Sequence, residues 1–311
     1  MKKCAKFRTF LLVSGILLLQ ILTISALANK IGIGTTPYGI AFDGANIWVT
    51  NYASGTVSKL NASDGSLIGT YAVANPWAIA FDGENIWVTN YTGNTVTKLN
   101  ASDGSLIGKY TVGITPNAIA FDGTNIWVAN ATGNVTKLRA SDGSLVGTYA
   151  VDSPWGISFD GANIWVTNHD SKKVTKFRAR DGCLLGTFDV RARPTGIAFD
   201  GANIWVANYG NDKITELKAS DGSEVKKYKV GRGSFGVTFD GANIWIANVN
   251  GTVTKLRACD GCLLGTYAVC SYPDGITFDG ANIWAANATG TVTKLRASDG
   301  STIGTYECRP R

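Results

Sequence analysis

Histidine is almost missing from this 311-residue chain: His169 stands alone, as does Met1 among the methionines. A His-rich metal centre is therefore excluded, and a carboxylate or thiol site would have to carry any such chemistry. Proline is scarce at seven residues, and no Pro-rich or Ser-rich linker interrupts the chain, which argues against domains strung on tethers. No segment after residue 28 shows a helical period, so an α-fold is excluded as well. The basic excess is also thinner than the formal charge of +6 suggests. Lys2, Lys3, Lys6 and Arg8 lie in the first 28 residues with no acidic partner, leaving 25 basic against 23 acidic residues, a balance of +2. That balance gives no support for a nucleic-acid partner.

Those first 28 residues read as a signal peptide. A positive start precedes an apolar run over residues 10–24, and Ala26-Leu27-Ala28 is a small-x-small cleavage site. Cleavage there begins the mature chain near Asn29, with no membrane span left, and the product is expected to be secreted, at the cell surface or periplasmic. Residues 29–311 then form one domain. Five cysteines remain: Cys183, Cys259, Cys262, Cys270 and Cys308. Cys259 and Cys262 flank an Asp-Gly turn where other copies have serines, so a local disulfide between them is expected in an oxidising compartment. A lone C-x-x-C without a second pair argues only weakly for metal, and neither a metal site nor a cofactor is expected.

What the chain has in abundance is repetition. A Phe-Asp-Gly step recurs with its Asp at 43, 82, 122, 160, 200, 240 and 279, at spacings of 39, 40, 38, 40, 40 and 39 residues. Each copy carries four short strand signals, at residues 39–42, 47–49, 57–60 and 68–73 in the first. Asp-Gly turns separate the first two and the last two, because Gly accepts positive φ and Asp bonds the turn backbone. The first two strands are apolar on both faces, while the third alternates Thr and Lys with Val and Leu. This runs from a buried edge to a wet one. Seven such units predict an all-β fold, a seven-bladed β-propeller of four-stranded antiparallel blades. Closure is open, because residues 30–34 match a fourth strand and residues 303–308 supply another.

The Trp-Val-Thr-Asn phrase, the Val-Thr-Lys-Leu strand and the Pro-x-Gly-Ile-Ala step resemble YVTN-type propeller repeats, with Trp for the usual Tyr. NHL and streptogramin-lyase (virginiamycin B lyase) propellers are similar. The resemblance covers residues 30–308 and implies a fold rather than a function. Lyases of that type use a His, an acidic residue and a divalent metal, and here only His169 offers the imidazole.

Whatever all seven copies share is scaffold. Seven Trp on the second strands are expected to pack between blades, and seven Asn ending those strands to bond the following turn. Fourteen of the 23 Asp and Glu are turn residues. The variable position before Gly-Ile or Ala-Ile is Tyr38, Trp77, Asn117, Trp155, Thr195, Phe235 and Asp274, expected at the mouth of the central channel. A second variable position, after the strand-two Asn, holds Tyr52, Tyr91, His169 and Tyr209 with smaller residues elsewhere. Charges that break the symmetry gather on the same face: Asp152, Asp170, Lys172, Lys173, Arg191, Arg193 and Arg232. The candidate ligand residues are thus Tyr38, Trp77, Asn117, Trp155, Phe235, Asp274, His169, Arg191, Arg193 and Arg232. They fit a non-catalytic propeller binding a protein, a glycan or a cell-envelope component. The alternatives are a metal-dependent lyase or lactonase and a repetitive structural module.

Overall fold

The computed structural model describes residues 34–307; the signal segment, residues 30–33 and Cys308 lie outside that range. Blade one is built from β1 (Pro37–Phe42), β2 (Asn46–Asn51), β3 (Thr56–Asn61) and β4 (Leu67–Ala72). The same four steps recur until blade seven, with β25 (Pro273–Phe278), β26 (Asn282–Asn287), β27 (Thr291–Arg296) and β28 (Thr302–Glu307). Each sheet keeps its four strands in chain order, antiparallel throughout. The seven-bladed propeller expected from the repeat is the fold.

Ring closure uses no exchanged strand among the described residues. Blade seven pairs its own β28 with β27, and β25 packs on β1. Residues 34–36 stay beside blade one, where Ser54 Oγ accepts from Thr35 N at 3.0 Å and Thr36 O accepts from Tyr52 N at 3.0 Å.

Burial departs from the expected run of buried inner strand to wet outer strand. Second and third strands are the most buried, whereas β1 is partly open because it lines the channel. The third-strand lysines explain the difference. Lys59 Nζ lies 5.2 Å from the centre of the Trp48 ring of its own blade and donates to Ala101 O of the next blade at 2.7 Å. Lys98, Lys137, Lys176, Lys255 and Lys294 repeat the arrangement, the last reaching Ala62 O across the closing seam at 2.7 Å. A charge desolvated this way is tolerated because carbonyls and an aromatic face replace its water.

The turn Asp carries a second duty. Asp43 Oδ1 accepts from the backbone of Ala45 and Asn46, while Oδ2 accepts from Trp48 Nε1 at 2.7 Å. The Trp–Asp bond recurs in all seven blades at 2.7 Å. Tyr71 then stacks on Trp48 with centroids 5.5 Å apart and covers Gly104 of the next blade, where a Cβ would collide with its ring. Gly104 has φ of +75°, so conformation and crowding both require glycine there. The seven Trp are completely buried at the blade seams, as their repetition implied. The strand-two Asn side chains reach the third strand rather than the following turn: Asn90 Nδ2 donates to Thr95 and Thr97 Oγ1, each at 2.8 Å.

One seam lacks the lysine. In blade five Glu216 stands at that position, 5% exposed, and accepts from Tyr228 Oη at 2.7 Å. Its cross-strand neighbour is Lys226, where blade one places Gly69 opposite Lys59. Burial raises the Glu216 carboxyl above its ordinary range, only partly offset by the Tyr228 bond.

Candidate functional site

Each inner strand bulges between its Pro or Ser and the following Ile or Val, and the residue at the bulge turns toward the channel mouth, except that Thr195, expected there too, turns into the blade seam and is 1% exposed. Neighbouring strands come so close that a Cβ on Gly39 would strike Trp77 O, and one on Gly275 would strike Tyr38 O. At these two positions proximity rather than φ calls for glycine, whereas blades two and three carry Ala78 and Ala118 there. Thr50 Oγ1 ties one bulge down, accepting from Gly39 N at 2.7 Å and donating to Trp77 O at 2.7 Å. Thr167 does the same for Gly156 N and Thr195 O.

The ring lines a cavity of about 200 Å³ that includes Tyr38, Trp77, Asn117, Trp155, Phe235 and Asp274. Two aromatic groups face its mouth. In the first, Tyr38 and Trp77 have centroids 4.1 Å apart, Trp77 stacks on Tyr91 at 4.7 Å, and Tyr52 meets both Tyr38 and Trp77 edge-on at 5.9 and 5.5 Å. In the second, Trp155 meets Phe235 edge-on at 6.0 Å and lies 5.2 Å from the His169 ring. Unlike the seven seam tryptophans, Trp77 and Trp155 are only half-buried.

Polar groups in the ring differ sharply. Thr195 donates to Ser234 O at 3.0 Å, inside the blade seam. Asn117 is 5% exposed; its Nδ2 donates to Pro154 O at 3.1 Å, and its Oδ1 has no partner among the described residues. Asp274 stands between Phe235 and Tyr38, and no hydrogen bond or ion pair reaches its carboxylate among the described residues. Desolvation alone pushes its pKa up to about 7. Tyr38 is raised by burial first and by Asp274 second.

His169 sits on blade four and Asp274 on blade seven, so the structure does not bring the lone imidazole to the lone channel carboxylate. His169 Nδ1 lies 3.0 Å from Asp170 Oδ1, and this hydrogen bond holds the Asp170 carboxyl below its ordinary range. Asp152 is exposed beside Ser153, apart from the ring. Among the described residues no group of three His, Cys, Asp or Glu side chains could hold a metal ion.

Arg191, Arg193 and Arg232 come together with Lys172 around a separate groove over blades four to six, which also includes Tyr209 and Asp212. None of the four cations has an ion pair among the described residues, whereas Arg139, Arg178, Arg257 and Arg296 on the opposite face each pair with a turn Asp. Lys172 has φ of +60° where four other blades use glycine, a strained choice for a lysine. Lys173 pairs with Asp189 in the sheet register instead. Tyr209, at 6.5 Å from Phe235, connects groove and channel mouth.

Cys259 and Cys262 are free and exposed, so the disulfide expected between them is not formed. Backbone bonds already close the turn, with Gly261 N to Arg257 O at 2.7 Å, and Cys262 Sγ lies toward Leu263 O at 3.9 Å.

Sequence reading missed two features of consequence. The Glu216–Tyr228–Lys226 group was legible as Glu for Lys and Lys for Gly in the repeat template. The isolation of Asp274 was not, because it depends on which blades flank it.

The chain matches the family model for outer membrane protein assembly factor BamB over residues 24–165, under half its length. No curated protein matches it in sequence. Among solved structures it is similar to Kuenenia stuttgartiensis hydrazine synthase, at 18% identity and TM-score 0.77, covering 88% of this chain and 98% of that one. A streptogramin B lyase is 22% identical with TM-score 0.73, covering 86% and 95%. The computationally designed Ika8 protein is 14% identical with TM-score 0.69, covering 89% of each chain. At such identities the likeness shows the fold, a propeller consistent with YVTN- and NHL-type repeats.

Proposed function

We propose that this chain is an extracytoplasmic binding propeller that holds a protein, glycan or cell-envelope ligand on its channel-mouth face. One observation carries the reading: of nine tryptophans, the seven that repeat are sealed at the seams, and the two that break the repeat are half-buried at the mouth. Partly exposed aromatic clusters of this kind provide apolar area with polar edges, which suits sugars and peptide side chains. The signal-like start supports work outside the cytoplasm. The name of the matched family, an outer-membrane assembly factor, supports an interaction role. Among the described residues no helix is long and apolar enough to cross a membrane.

A glycan and peptide array probed with residues 29–311 tests the proposal. Trp77→Ala and Trp155→Ala should each weaken any captured ligand at least tenfold. Undiminished binding by both variants overturns this placement of the site. Catalysis fits less well, since general acid-base work needs its groups within hydrogen-bond reach of one substrate and His169 stands three blades from Asp274.

A further inference from the structure

The channel cavity combines an acidic group with aromatic walls and, among the described residues, has no cation of its own. Its lining includes Tyr38, Trp77, Trp155, Phe235 and Asp274, but no Lys, Arg or His. A carboxylate desolvated without a partner is unfavourable, and a protein normally supplies a Lys or Arg beside it. Here the arginines of this face gather instead around the neighbouring groove. Asn117 adds to the same ring an acceptor oxygen that has no partner among the described residues. Such a site offers acceptors and π-faces, and what it lacks is a positive charge that also tolerates apolar contact.

From this we infer that the channel mouth binds a small organic ammonium group, with Asp274 as its counter-ion and Tyr38, Trp77, Trp155 and Phe235 as its aromatic walls. The inference rests on the channel mouth being the ligand site and adds the chemical class that it takes. An alkylated ammonium suits the place better than a metal ion, because one carboxylate and one amide oxygen offer a hard cation too few ligands. Aromatic faces attract an ammonium electrostatically, and more strongly where water is excluded. The small cavity, about 200 Å³, limits the group to a compact head.

Binding should also depend on pH through Asp274. Its free-state pKa near 7 means that below neutrality the carboxyl is protonated and the counter-ion is lost. The groups facing it are few. Tyr38 on β1 stays neutral across that range, the first strand of blade six (Ser234–Phe239) has no titratable side chain, and neither does β26.

Choline and n-butylammonium, titrated against the protein by calorimetry with tryptophan fluorescence in parallel, test the inference. The neutral isostere 3,3-dimethyl-1-butanol is the control, and the two cations distinguish a quaternary head from a lysine-like one. At pH 8 at least one cation should bind in the millimolar range or tighter, at least tenfold better than the alcohol. Asp274→Asn, which keeps size and fold, should remove that preference, and lowering the pH to about 5.5 should weaken wild-type binding roughly tenfold or more. Equal binding of alcohol and cation, or an unchanged cation affinity in Asp274→Asn, overturns the ammonium assignment and leaves the channel mouth as a site for neutral ligands. No response to either cation up to tens of millimolar also overturns it. The array with Trp77→Ala then decides separately whether the mouth binds anything.

Discussion

The seam between blades five and six makes a sharp prediction, because its two departures from the repeat compensate each other. In the other six seams a lysine lies over a tryptophan ring, 4.8–5.2 Å from its centre, and donates to carbonyls of the next blade. Glu216 can do neither. Substituting Glu216→Lys alone would place a lysine directly opposite Lys226 and remove the acceptor of Tyr228, so a loss of about 1 kcal/mol is expected. Lys226→Gly alone removes the positive neighbour of the buried carboxyl and loosens the strand, a loss of similar size. Together the two substitutions rebuild the repeat. A cation–π contact of roughly 1–2 kcal/mol and two charge-assisted bonds then oppose the desolvation of the ammonium, for a net gain of about 1 kcal/mol. The cycle therefore predicts a coupling of about 3 kcal/mol, readable by calorimetric melting as a double variant a few degrees above wild type and single variants below it. The pH dependence has a fixed sign. A raised carboxyl costs stability only once ionised, so the double variant's advantage should shrink as pH falls toward the unfolded Glu value of about 4.3. Additive effects of the two substitutions, or a larger advantage in acid, would refute the account.

Three further outcomes follow from particular contacts. Asp160→Ala strips the Trp165 indole of its acceptor at 2.7 Å and undoes the turn, so denaturant unfolding should show a loss of about 3 kcal/mol. Lys172→Gly relieves a left-handed backbone at φ +60° and should gain about 0.5 kcal/mol, while weakening any anion held by the groove. A more stable variant with undiminished anion binding would free Lys172 of a functional role. Asp274→Asn should leave stability unchanged near pH 4 and exceed wild type by up to about 4 kcal/mol at pH 8, because ionising a group raised to about 7 penalises only the folded wild type. Parallel melting curves across pH would remove the case for a desolvated carboxylate.

Fold and ring were legible because the repeat reports them directly. The period gave the blade count, and the variable residue after Pro gave the channel mouth, since a bulge at a fixed phrase position aims a fixed side chain. Less legible was anything that depends on two blades at once. The third-strand lysines read as a wet strand because alternation of Thr and Lys with Val and Leu normally marks solvent. Their Nζ atoms instead find carbonyls some 42 residues away, a partner that no local pattern displays. His169 read as an outer loop residue for a different reason: its contact with Trp155 lies within one blade but joins two variable positions 14 residues apart, which the repeat phrase does not relate.

Symmetry also separates structural charge from available charge. On the turn face, arginines at the ends of third strands meet the Asp of the adjoining turn at 3.0–3.6 Å, pairs that are exposed and contribute little to stability. Across the molecule, Lys172, Arg191, Arg193 and Arg232 crowd one groove without such partners, and two of the four, Lys172 and Arg191, hold left-handed backbone. The left-handed conformation at Lys172 belongs to the scaffold, since Gly55, Asn94, Gly133, Asp212, Gly251 and Gly290 share it at the same position, but the gathering of four cations beside the single carboxylate of Asp212 does not. An anionic portion of a ligand would relieve the repulsion among them. With Asp274 isolated in the adjacent channel, the face presents separated fields of opposite sign joined by Tyr209 and Phe235. Under the binding role proposed above, that pattern suits a ligand with charges at both ends.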